Sequence, residues 1–304
     1  MASDPTPVRI IIWCLPRTIS TALVKCLSTI EGLEVWFEPF CYSALAARTY
    51  KFACGRDAPL VYEGNEEALA SAAAILSSVI GSKIDADRIA YATVKKDLES
   101  ARGKYVLVKD MAFAVRKDST RAYIPTGFRH VFLVRHPVRA YSSYRKAYLK
   151  MANLLRDEGE ETNDLSFDLE VDDVALPSKT FYKDLYSLWK YVRESGLDAD
   201  PIVLDADDLL ARPSEVLSKF CRLVGLPYSD SLLQWDSSTA VADSWKAPGK
   251  AVAKDLVTMY ETAMKSSRFM PLSEPTPRGQ LPNDVVRLSD ASMKSYEKLQ
   301  KSKL

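Results

Sequence analysis

The chain has 304 residues, 47% of them apolar and 27% charged, an ordinary balance for a folded globular protein with one large core. Its formal net charge of +1 gives no electrostatic case for nucleic acid or an anionic membrane as the main partner, so any anion site must be local. The sequence holds only two histidines, His130 and His136, and its five cysteines lack CxxC or zinc-ligand spacing, so no metal site is expected.

The first element is a β-branched and aromatic run over 9–14, which reads as a buried strand ended by Pro16. A helix is predicted over 18–30, stopped by Gly32, and a second strand over 33–37. Helices are expected within 40–54, 65–80 and 85–102. Strands follow at 105–109 and 130–134, the latter leading into a helix from Pro137 to about residue 155. Helical periodicity returns over 178–194, a short strand at 201–204, and a helix over 213–224 that Gly225 ends. The stretch at about 156–176 is acidic and poor in large apolar residues, which predicts a solvated loop or a lid. From about 266 the chain is rich in Ser, Pro and Lys and reads as a surface-wrapping tail with a final short helix. Short apolar strands alternating with helices predict an α/β fold, a three-layer sandwich with a mostly parallel central sheet. One domain spanning 1–304 is expected. The most apolar run, 68–80, is too short to span a bilayer, and the first residues carry no signal-peptide pattern, so a cytoplasmic protein with reduced thiols is expected.

Two stretches carry chemistry. The first is Pro16-Arg17-Thr18-Ile19-Ser20-Thr21, between a strand and a helix. The first amides of a helix lack intrahelical partners and the helix dipole is positive there, so this turn is suited to an anion. Arg17 adds a fixed charge, and the hydroxyls of Thr18, Ser20 and Thr21 add donors. The segment lacks both glycines and the lysine of the Walker A pattern, which weighs against a nucleoside-triphosphatase or kinase. The second stretch again joins a strand to a helix. Arg135 ends the strand, Pro137 suits the first helical position, and Ser143 lies about two turns into the helix.

These stretches together resemble the sulfotransferase family that uses 3′-phosphoadenosine 5′-phosphosulfate (PAPS). In that family a Pro-basic-Thr/Ser turn cradles the 5′-phosphosulfate, and an Arg-x-Pro with a serine eight residues beyond the arginine holds the 3′-phosphate. Arg135 and Ser143 have that spacing, and 206–213 leading to 224–227 is similar to a third family segment. The resemblance covers roughly 9–228 and implies a P-loop-like sulfotransferase fold, PAPS as donor and adenosine 3′,5′-bisphosphate (PAP) as product. The chain departs from the family at four places, the first three being that Ile19 stands where glycine is usual, Lys109-Asp110-Met111 lacks the usual histidine, and Ala206 replaces a tyrosine. The basic segment near the C-terminus is reduced to 244–250, with Lys246 or Lys250 expected to close over the donor.

In-line sulfuryl transfer builds charge on the leaving oxygen, so Arg17 and the amides near Ser20 and Thr21 are expected to stabilise it. The expected base is Glu38, which follows the second strand and so shares the sheet edge of Arg17. The competing reading makes Glu38 the cap of the helix starting near Pro39. Asp110 is the second candidate base, and Lys109 either assists Arg17 or pairs with a carboxylate. His136 reads as a positioning residue, His130 as structural, and Asp205 as a helix cap. The expected acceptor is a small molecule bearing a hydroxyl or amine. Three other readings stay open: a magnesium-dependent kinase, a non-catalytic nucleotide binder, and a sulfotransferase whose product undergoes elimination or cyclisation.

Overall fold

A computed structural model describes residues 7–154, 164, 166–173, 176–250 and 257–304, so most of the acidic stretch expected at about 156–176 lies outside the described residues. The run Ile10-Ile11-Ile12-Trp13 forms the centre of strand β1 (Val8–Cys14). Four more strands join it: β2 (Leu33–Phe37), β3 (Tyr105–Met111), β4 (Arg129–Val134) and β5 (Ile202–Asp205). All pair in parallel, in the order β2-β3-β1-β4-β5, with Ile11 beside Val108 on one side and Trp13 beside Phe132 on the other. Successive strand residues point to opposite faces, and Ile10 through Cys14 are each at most 1% exposed. Both faces of the sheet are therefore covered, which gives the expected three-layer α/β arrangement.

The helices are α1 (Ser20–Leu27), α2 (Pro39–Cys54), α3 (Glu66–Ile80), α4 (Tyr91–Ser100), α5 (Asp118–Arg121) and α6 (Pro137–Leu154). They continue with α7 (Leu169–Asp172), α8 (Phe181–Glu194), α9 (Ala206–Ala211), α10 (Pro213–Val224), α11 (Val257–Met264) and α12 (Asn283–Gln300). Proline opens α2, α6 and α10, where its missing amide costs nothing. Gly225 ends α10 at φ 79°, a left-handed conformation that a side chain would strain. Among the described residues, no helix is long and apolar enough to cross a membrane.

Three expectations change. The helix predicted from 18 begins only at Ser20, because Arg17 and Ile19 adopt left-handed φ values of 66° and 57°. The helix predicted within 85–102 splits into a 3₁₀ turn, Asp87–Ile89, and α4. The final helix is not a short surface piece. α12 has 18 residues, buries Val285, Leu288 and Leu299, and packs on α6 and α8. At its start Asp284 accepts from the Nε of buried Arg145 at 3.0 Å, tying it to α6. The Lys- and Ser-rich composition describes its outer face; its inner face repeats apolar residues at helical spacing.

Both sheet edges are covered. Lys246 forms a parallel bridge beside Trp36 on β2, and Lys303 does the same beside Val203 on β5. An uncovered edge would offer unpaired amides to another chain.

Candidate active site

In a parallel sheet the loops after each strand collect at its carboxyl edge. Here those loops surround a cavity of about 360 Å³. Pro16, Arg17 and Ile19 come from the end of β1, Glu38 from β2, Met111 and Phe113 from β3, and Arg135 from β4. α6 adds Ser143, and the far end of the chain adds Tyr260 and Arg268.

The turn before α1 is shaped for an anion. Ile19 occupies the N-cap position in a left-handed conformation, no side chain caps the helix, and no acid lies in its first turn. The first amides of α1 are thus left to a ligand, beside the lining residues Ser20 and Thr21. Arg17 Nε donates to Ser143 Oγ at 3.0 Å, and Arg135 Nη1 donates to the Arg17 carbonyl at 3.0 Å. Arg17 Nη1 also donates to the Met259 carbonyl. Burial, and then the neighbouring Arg135 charge, hold the Arg17 pKa below its ordinary range. Two guanidinium groups crowded in this way favour a bound anion, which relieves their repulsion. Thr18 departs from expectation: it is fully buried, and its hydroxyl donates back to the Leu15 carbonyl at 2.8 Å. It supports the turn from below and does not line the cavity.

The two candidate bases part company. Asp110 is fully buried and accepts from the amides of Phe40 (2.7 Å), Cys41 (2.9 Å) and Met111 (2.7 Å). Its carboxylate therefore closes the N-terminus of α2, and it is not among the cavity-lining residues. Burial pushes its carboxyl up to about 8, while the amides of Met111 and Phe40 pull the other way. The role of second candidate base is thus replaced by helix anchoring. Glu38, which had the capping role as its competing reading, makes no side-chain cap. It sits at φ 56°, its amide donating to the Lys109 carbonyl at 2.7 Å, and its side chain lines the cavity. Lys109 Nζ donates to its Oε1 and Tyr260 donates to its Oε2 at 2.9 Å. Lys109 is thus the partner of a carboxylate. Burial opposes its charge, and coupling to Cys14 and to Glu38 more than offsets this. Burial, followed by the Glu38 charge, holds the Tyr260 hydroxyl well above its ordinary range, so it stays a donor.

Lys246 and Lys250 do not reach the cavity. Lys246 is fixed in its bridge to β2, and its Nζ pairs with Glu34 at 2.9 Å. Lys250 gives its backbone carbonyl to the Tyr42 hydroxyl at 2.8 Å, and its side chain is exposed. The cation that does line the cavity from the C-terminal region is Arg268, exposed at its mouth. Asp205 caps α9 by accepting from Asp207 and Asp208 amides. His136 packs edge-on against Tyr296, and His130 is buried beneath Trp13. Sequence reasoning missed Tyr260 and Arg268, which sit in a stretch without strand-turn-helix punctuation. Tyr144 and Tyr148, also lining the cavity, share the helical stripe that continues from Tyr141, a signal the pattern does contain. Among the described residues, no three His, Cys, Asp or Glu converge as a metal site.

No protein-family model matches the chain, and no curated protein matches it. Among solved structures it is similar to a sulfotransferase domain from the Synechococcus PCC 7002 olefin synthase, covering 95% of this chain and 94% of that one, with 14% identity and a TM-score of 0.43. It is also similar to a sulfotransferase domain from the curacin biosynthetic pathway, covering 94% of this chain and 98% of that one, with 14% identity and a TM-score of 0.41.

Proposed function

We propose that this chain transfers a sulfuryl group from PAPS to a hydroxyl of a small-molecule acceptor. One observation carries the reading: Arg17, Arg135 and Ser143 converge on the uncapped start of α1, within one cavity that also holds Glu38. A donor with phosphates on both the 3′ and 5′ positions needs two anion contacts, and two arginines and a helix N-terminus supply them.

The donor brings the activated sulfuryl group; the protein supplies placement and charge. Arg17 and the first amides of α1 stabilise the phosphate oxygen on which negative charge collects as the sulfur–oxygen bond breaks. Arg135 and Ser143 fit the second phosphate, fixing the donor and distinguishing it from a nucleotide with a single phosphate site. Glu38 accepts the proton that the acceptor hydroxyl loses as the new sulfur–oxygen bond forms. Lys109 and Tyr260 keep the carboxylate aimed, each holding one oxygen. The turn has neither the glycines nor the lysine with which a Walker A loop holds a triphosphate, which disfavours the kinase reading.

The test is a thermal-shift comparison. PAP stabilises the protein without magnesium and ATP does little. A protein stabilised by magnesium–ATP and indifferent to PAP excludes this reading.

A further inference from the structure

A second cavity, of about 540 Å³, adjoins the first. Leu45 and Phe113 line both, so the two spaces meet at these side chains. Helix α2 runs along them like a ruler. Cys41 and Leu45 face the first cavity, and Leu45 and Arg48 the second, at the i, i+4, i+7 spacing of one helix face. From Glu38 to Arg48 the helix rises about 15 Å, at roughly 1.5 Å per residue.

The second cavity has an apolar floor and a basic rim. Tyr91, Phe113 and Ala114 are buried beneath it, and Arg48, Lys51, Arg116 and Lys117 surround it. Asp57 is the sole carboxylate among its lining residues and is paired with Lys51 at 3.0 Å. Arg116 and Lys117 form no salt bridge within 4 Å among the described residues, and Lys117 acts on Asp57 only as a more distant charge, behind the Lys51 contact. Asp184 feels the Arg116 charge, but its carboxylate accepts from Thr180 Oγ1 at 2.7 Å. Two adjoining cavities, one holding the Glu38 carboxylate and the other a rim of four cations, match an acceptor that carries a hydroxyl at one end and a negative charge at the other.

We propose that the second cavity receives the anionic end of the acceptor, a carboxylate- or phosphate-bearing alcohol with an apolar body, whose hydroxyl end lies beside Glu38. This rests on the sulfuryl-transfer reading and names the acceptor class for that same site. The body of the molecule passes Leu45 and Phe113, and Arg116 and Lys117 attract its charge.

The experiment compares decanoate hydroxylated on its terminal carbon with its methyl ester, by calorimetry at low salt, with and without saturating PAP. The free acid binds roughly fivefold more tightly than the ester, the scale of two exposed charge contacts. The preference shrinks as salt is raised. In the double variant Arg116→Glu/Lys117→Glu it vanishes or reverses, while PAP affinity stays the same. If the charge reversal harms folding, Arg116→Gln/Lys117→Gln removes the preference without adding repulsion. Equal binding of acid and ester to the unmodified protein, an unchanged ratio in the variants, or binding of neither compound overturns the proposal. Failure of the sulfuryl-transfer reading looks different: PAP then does not bind, while the acid-to-ester ratio measured without nucleotide still reports on the basic cavity.

Discussion

Lys109 of β3 and Glu38, the residue after β2, form an ion pair in which the lysine side chain is 0% and the glutamate side chain 4% exposed. The sheet register creates it. Phe37, the last residue of β2, lies beside Lys109 of β3, and the left-handed turn at Glu38 brings its carboxylate to the Lys109 ammonium. Replacing Glu38 by glutamine keeps an acceptor for Lys109 and removes the base. Turnover in Glu38→Gln falls by about 10²- to 10⁴-fold, the usual worth of a positioned general base. PAP affinity, measured by titration, changes little. Retained turnover would remove Glu38 from the mechanism. Lys109→Met is different in kind: it strands a buried carboxylate, and denaturant unfolding should register a loss of about 3–5 kcal/mol.

The contact between Arg17 and Ser143 joins the two proposed anion positions, so variants of Arg17 and Arg135 separate by ligand. Arg135→Ala weakens PAP binding by roughly 10- to 100-fold, the worth of a hydrogen bond to a charged group. It has much less effect on adenosine 5′-phosphate, which lacks the 3′-phosphate. Arg17→Ala lowers turnover at saturating donor by at least about 10²-fold. Calorimetric titration with both nucleotides checks the first outcome; equal losses for both would show that Arg135 does not read the 3′-phosphate.

Asp110 predicts a stability phenotype. Asp110→Ala leaves the Phe40 and Cys41 amides unpaired in a buried site, at about 1–3 kcal/mol each. Asp110→Asn keeps one acceptor and loses less. In both, turnover per folded molecule stays within a few-fold of the parent, as chemical denaturation and assays on the same samples can establish. A variant as stable as the parent but without turnover would restore Asp110 as a candidate base.

How much of this was legible in the sequence follows from how local each signal is. The strand-turn-helix segments around Arg17 and Arg135 punctuate themselves with β-branched runs, proline and hydroxyl residues, so the strands and the turns that follow them could be read directly. That Asp110, and not Glu38, meets the first amides of α2 could not, because it depends on the φ of Glu38 and on which strand end abuts α2. Ile19 concealed the shape of its turn: the position is left-handed, where glycine is the usual signal, and only packing holds a β-branched residue there. Thr18 carries a hydroxyl like Ser20 and Thr21, and only the turn geometry sends it inward. Tyr260 lies 222 residues from the carboxylate it binds, a relation that no periodicity encodes. Lys246 misled for the opposite reason: its basic segment resembles a donor-binding one, but its backbone is committed to closing the β2 edge.

The last prediction concerns acid. His130 is fully buried, and its Nδ1 accepts from Trp13 Nε1 at 2.9 Å, a bond that requires the neutral ring. Burial lowers its pKa from 6.5 to about 4; Asp198 nearby works to raise it and Arg129 to lower it further. Between those two values the unfolded chain binds a proton that the folded chain does not. Stability is therefore full above about pH 6.5, falls as the pH drops toward 4, and levels off below it. The loss from this group approaches about 3 kcal/mol at the low end, because binding one proton only in the unfolded chain costs about 1.36 kcal/mol for each pH step of one between the two values. His130→Gln keeps an acceptor for Trp13 and has nothing to protonate in this range. Urea midpoints measured from pH 7 to pH 4 should fall less steeply for the variant than for the parent. Parallel curves would mean that His130 accepts its proton without unfolding the core around Trp13.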